Sequence, residues 1–125
     1  MSSTQRTRIL ERHQQSYGTE AEYLWARYPD YAVFRHPLSA KWYALFANVP
    51  REKLGLDGEG IADLLVVRCG LAMQGSLLCE KGFLPAYHMG KNSWISILLD
   101  DSVPDERVEL LLEMSYDSVE PKRRK

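Results

Sequence analysis

Two short stretches of the chain set cationic side chains next to aromatic rings. Arg35, His36 and Lys41 stand beside Trp42 and Tyr43, and His88 and Lys91 lie between Tyr87 and Trp94. A lysine or arginine can clamp a phosphate while a neighbouring ring stacks or wedges against a base, so this pairing of residue types suits contact with a nucleic acid. The plainer alternative has the tryptophans in the core and the lysines at turns as solubilising charges. For catalysis, the residue types exist but the contexts that give them a reaction do not. The chain has no GxSxG, HExxH or GxGxxG, and no glycine-rich phosphate loop running into lysine and serine or threonine. Its one glycine cluster, GLDGEG, carries Asp57 and Glu59, whose charges repel a phosphate. No enzyme and no cofactor are expected.

Metal ligands fare no better. Cys69 and Cys79 lie ten residues apart without a CxxC and read as reduced thiols rather than a zinc site or a disulfide framework. His13, His36 and His88 are far apart in sequence and would meet only through folding. The acidic tracts at 57–63 and 100–109 could attract divalent cations, but read first as a solvated loop and a helix start.

The elements that position the two basic–aromatic stretches follow from patterning. At 125 residues the chain has the length of one domain with one core. No apolar run approaches the ~20 residues of a bilayer span, and MSSTQRTRILERHQQ lacks an apolar export core, so a cytosolic protein without membrane contact is expected. Residues 4–16 predict a capped, weakly amphipathic helix anchored by Ile9 and Leu10 and stopped at Gly18. Thr19 and Glu22 have capping-box spacing and predict a short turn of helix bearing Tyr23, Leu24 and Trp25.

Residues 31–36 and 41–49 then read as a β-hairpin broken at 37–40. In its second strand Trp42, Ala44 and Phe46 would share one face, and Tyr43, Leu45 and Ala47 the other. With both faces apolar, that strand belongs in the sheet interior. Residues 50–60 form a loop, 61–67 a buried strand and 71–80 a short helix, with Gly82 as its cap. Residues 84–89 and 93–99 predict a second hairpin with Gly90 available for a positive φ. The final helix is the clearest: Pro104 suits its first turn, Asp105 and Glu106 favour its positive end, and Val108, Leu111, Leu112, Ser115, Tyr116 and Val119 follow one buried face.

The net charge of −1 is unevenly spread. Residues 1–18 carry +2 and residues 119–125 carry +3, leaving −6 on residues 19–118. A phosphate-binding surface on that body therefore needs a local patch, because the mean field repels a polyanion.

The segments EYLWARYPDYAVFRH, KWYALFANVPREKLGL, GSLL, GFLPAYHMGKNSWISILLDDSVPDE and LLEMSYD closely resemble the MmcQ/YjbR family of small bacterial proteins. The likeness spans residues 19–120, setting off an N-terminal helix at 1–18 and a basic tail at 121–125. It implies a two-layer α+β fold like the CyaY (bacterial frataxin) fold, an antiparallel sheet packed against helices. It also implies a non-enzymatic DNA-binding protein, with a double-wing arrangement in which β-hairpins present the contact surface. Carried over by position, the wings fall on the two turns, with Arg35, His36, Lys41, His88, Lys91 and Trp94 as the candidate nucleic-acid contacts. Two other partner classes remain open: a protein docked on an exposed sheet face or on the acidic helix start, and a small molecule or metal.

Overall fold

In a computed structural model, which describes residues 4–90 and 92–121, the chain forms five strands and three α-helices. They are α1 (Gln5–Tyr17), β1 (Ala32–Arg35), β2 (Trp42–Pro50), β3 (Ile61–Arg68), α2 (Leu71–Leu77), β4 (Phe83–Pro85), β5 (Trp94–Leu98) and α3 (Asp105–Ser118). A short 3-10 helix, Arg51–Leu54, follows β2. The strands make one antiparallel sheet in the order β1-β2-β3-β5-β4. The α+β fold is thus the expected one, and β2 and β3 lie inside the sheet as their two apolar faces require.

One face of the sheet is covered by α1 and α3. Phe34, Phe46, Leu65, Val67, Ile95 and Ile97 from the strands meet Ile9 of α1 and Val108, Leu111 and Leu112 of α3 in one cluster. Although α1 has few apolar residues, it is no peripheral element: Ile9 is fully enclosed and His13 is buried. Gln5 fixes it in place. Its amide donates to the Val103 carbonyl at 2.7 Å and to Asp105 at 2.9 Å, while its oxygen accepts from the Asp101 amide at 2.8 Å. Every polar atom of that buried side chain is therefore satisfied. Thr4 caps α1 through its hydroxyl, and Gly18 ends it in the left-handed conformation.

The opposite face carries no α-helix among the described residues. Val33, Leu45, Leu64, Val66 and Leu98 are buried there beneath residues 19–31, the 3-10 turn and its exit at 51–56, and the chain after β4 at 86–89. The fold departs from the sequence expectation at several places. No helical turn forms at residues 23–25. Glu22 instead pairs with Val33 on the β1 edge, N–H to O at 2.9 and 3.0 Å, and Trp25 lies on the sheet, so a tertiary contact overrides the capping pattern. The alternation of β2 breaks at its start. Arg35 pairs with Trp42 but Phe34 with Ala44, so Tyr43 is an extra residue in a β-bulge. Tyr43 consequently joins Ala44 and Phe46 under the helices, whereas Trp42 packs with Leu45 on the other face. Helix α2 ends at Leu77, short of the expected residue 80, and Gly82 does not cap it. Gly82 has φ +96°, and a Cβ there would sit 2.5 Å from Val103 Cγ2, so this glycine allows β4 to pass close to the segment entering α3.

Candidate nucleic-acid interface

The register of the sheet decides where the two turns point. Ala44 faces Val67, Arg68 faces Trp94, and Pro85 faces Ile95, so residues 36–41 and 86–93 leave from the same end of the sheet. The other end holds Asp57 and Glu59 in the connection between β2 and β3, Asp63 near the start of β3, Asp100 and Asp101 between β5 and α3, and Asp105 at the first position of α3. Asp63 lies partly buried near Asp30, and both raise its carboxyl above the usual range against the pull of Arg6. Much of the negative charge of the body therefore stands away from the two turns.

In the first turn, His36 serves as internal scaffold. It is 1% exposed, its ring lies 4.5 Å from that of Tyr116, and its Nδ1 accepts from the Leu38 and Ser39 amides at 3.1 and 3.4 Å. Its backbone completes the loop, with His36 N–H donating to the Lys41 carbonyl and Ala40 N–H donating to the His36 carbonyl, each at 2.9 Å. The ring is thus committed inward and gives no surface to a ligand. Arg35 is half-buried and held at two points by Glu22, Nε to Oε2 at 3.0 Å and an Nη to Oε1 at 3.2 Å. Lys41 is exposed.

The second turn does not project as the first does. Strand β4 ends after three residues, and the chain then folds back over the sheet. Ala86, Tyr87 and Met89 pack with Val33, Leu45, Trp25 and Trp42. The Tyr87 amide donates to the buried Ser96 hydroxyl at 3.0 Å, and Tyr87 lies near Tyr31. Burial, with Tyr87 adding to it, raises the Tyr31 hydroxyl pKa, so Tyr31 stays protonated. The positive φ expected at Gly90 falls instead on His88, at 61°, which is exposed with its ring 4.0 Å from Tyr87. Trp94 is only 7% exposed and forms part of the sheet packing. Lys91 and the tail residues Lys122, Arg123, Arg124 and Lys125 lie outside the described residues.

A residue that patterning overlooked joins the two sides. Arg68, at the end of β3, donates from Nε to the Trp42 carbonyl at 2.9 Å and lays its guanidinium 4.7 Å from the Trp94 ring centre. Its backbone amide donates to Ser115 of α3 at 2.9 Å. Burial lowers its pKa without threatening its charge. The signal in the sequence is an arginine closing the apolar run Leu64 to Val67 of a central strand, where a cation needs a partner. Beside it, the Cys69 thiol is pushed up by burial and so stays protonated.

Between the folded-back turn and the first hairpin lies a cleft of about 200 Å³ lined by Trp25, Tyr28, Tyr31, Trp42, His88 and Met89 over Leu45. Trp25 meets Trp42 edge to face, 5.7 Å between centres at 79°, and Tyr28 stacks on Tyr31 at 4.8 Å and 24°. Among the described residues, no three His, Cys, Asp or Glu side chains gather closely enough to hold a metal. None of the described helices is long and apolar enough to cross a membrane.

This is an α+β domain with an antiparallel sheet, two helices on one face and a folded-back aromatic turn on the other. The YjbR family model matches residues 14–118, and the chain belongs to that family. It is 42% identical over 108 residues to the Bacillus subtilis protein YyaQ, covering 86% of this chain and 92% of that one. A crystal structure of a Pseudomonas syringae protein superposes with a TM-score of 0.89 at 36% identity, covering 92% of this chain and 98% of the other. A Deinococcus radiodurans protein with a DUF419 domain shares the fold, with a TM-score of 0.60 at 24% identity over 81% of this chain and 67% of that one.

Proposed function

We propose that this chain is a non-enzymatic DNA-binding protein that meets the duplex with the end of the sheet bearing both turns. The observation that carries the reading is the placing of Lys41 and Arg68 at that end, one from the first turn and one from the end of a central strand, while the acidic connections occupy the other. Cations so placed neutralise phosphates and release counterions, which supplies affinity without sequence preference. Arg35 is a reserve cation, available once Glu22 lets go. The family resemblance points the same way.

The test is fluorescence anisotropy of a labelled duplex titrated between 50 and 200 mM salt. The combined variant Arg35→Ala, Lys41→Ala and Lys91→Ala should bind more weakly and lower the salt slope by about 3. Unchanged affinity and slope would overturn the reading. A chain lacking residues 121–125 serves as the comparison, because loss of binding in that variant alone would assign the contacts to the tail.

A second reading, an interaction surface, is favoured by a different observation. Leu71, Met73, Leu110 and Met114 of α2 and α3 are exposed, and Met73 and Met114 line one groove. If that groove is a docking face, Met114→Glu should abolish association with a partner while leaving duplex affinity as it was.

A further inference from the structure

We propose that the aromatic cleft takes a single unpaired nucleobase, so that the protein prefers DNA offering an unstacked base over a continuous duplex. The inference rests on the DNA-binding reading and deepens it. A dry cavity of roughly 150 Å³ is enough to hold a benzene ring. At about 200 Å³, this cleft suits one planar heterocycle and not a longer apolar segment. Its walls are rings of both sides of the molecule: Trp42 from the first hairpin, Trp25 and Tyr28 from the strip before β1, and His88 from the folded-back turn. Tyr28 is 49% exposed, which leaves ring surface open at the mouth.

The chemistry of the lining separates a base from other flat or cationic ligands. Aromatic cages also hold quaternary ammonium groups, but a cation gains from a nearby carboxylate, and none of the described lining residues is acidic. His88 stands in the lining and the exposed Lys41 directly precedes Trp42, so a ring that carries an anionic phosphate finds a hydrogen-bond donor and a cation nearby. The rim is also pre-shaped. His88 stands at a positive φ with the Tyr87–Ser96 bond anchoring the chain on its N-terminal side, a conformation that non-glycine residues adopt mainly where the surrounding structure imposes it. Because a base inside a continuous helix offers no ring face, occupancy requires one that is bulged, mismatched or single-stranded.

The experiment compares three labelled DNAs of one sequence: a fully paired duplex, the same duplex with one extra unpaired thymine, and that duplex with an abasic site replacing the thymine. Anisotropy should show the unpaired thymine bound about tenfold more tightly than either other form, with quenching of tryptophan fluorescence. Trp25→Leu, and separately the half-exposed Tyr28→Ala, should erase the tenfold preference while paired-duplex affinity stays as it was. Equal affinity for all three DNAs would overturn the cleft proposal and leave the DNA-binding reading standing. Absence of binding to any of them would overturn both. A preference for the unpaired thymine that survives in both variants would show that the base is held elsewhere, and would also overturn the proposal.

Discussion

The two faces of the sheet bury comparable apolar side chains and close them in different ways. Under α1 and α3, the side chains arrive at helical spacing and fill the space between layers continuously, so Phe34, Phe46, Leu65, Ile97 and Val108 have no solvent exposure to speak of. On the other face, Val33, Leu64 and Val66 are equally enclosed, but their cover consists of irregular strips that reach across with Trp25, Tyr31, Trp42 and Tyr87. Rings set edge to face span distance without filling it, and the remaining volume is the aromatic cleft. The contrast teaches a division of labour in which regular cover supplies stability and irregular cover leaves room for a ligand.

The contrast breaks most readily through the helix-covered side. Phe46→Ala should lose about 3–5 kcal/mol of unfolding free energy in urea titration, because a fully enclosed ring leaves a cavity that the helices cannot fill. A loss below about 1 kcal/mol would mean that this face is not the rigid one.

A pH titration probes the same face next. His13 is buried against Tyr17, Phe34 and Tyr43, with Nε2 2.6 Å from the Tyr43 hydroxyl, and burial lowers its pKa to about 4. The unfolded chain takes up this proton near the ordinary value of about 6.5, so the contribution of neutral His13 is complete above that pH. It is lost as pH falls from about 6.5 to about 4, by up to about 3 kcal/mol. His13→Phe should flatten that part of the stability profile, and an unaltered slope would remove His13 as its source.

Gly82→Ala follows, at about 1–3 kcal/mol, from the positive φ and the Val103 contact together, read as a lower thermal midpoint. The smallest effect belongs to the irregularly covered face. Trp42→Leu should cost about 1–2 kcal/mol, less than a core ring, since Trp42 is only partly buried. A cost equal to that of Phe46→Ala would erase the distinction between the faces.

The elements were legible where burial alone decides them. The continuous run of β3, the period of α3 and the stop of α1 at Gly18 all stand as their residues predict, because each follows from local pattern and a single buried side. What patterning misplaced depends on contacts distant in sequence. Residues 23–25 have a helix-start signature, but Trp25 gains more by covering the sheet. His36 reads as an exposed turn histidine until Tyr116, eighty residues on, closes over it. Trp94 reads both as a strand residue and as a candidate contact, and its burial follows only once Arg68 is stacked on it. For the candidate site, the residue types were visible in the sequence. Their meeting on one end, and the cleft between them, required the register of five strands.

The extra residue at Tyr43 has a consequence for how this chain tolerates insertion and loss. Upstream of it the first hairpin keeps one phase of in and out, and downstream β2 keeps the other. Removing Tyr43 would restore the plain ladder and leave Trp42, opposite Arg35, on the face it already holds. What would go is the buried phenol, and with it the partner of the His13 ring. The strand can therefore lose this one residue and keep its register, whereas a gain or loss of one elsewhere in β2 would turn the residues on one side of the change over to the opposite face.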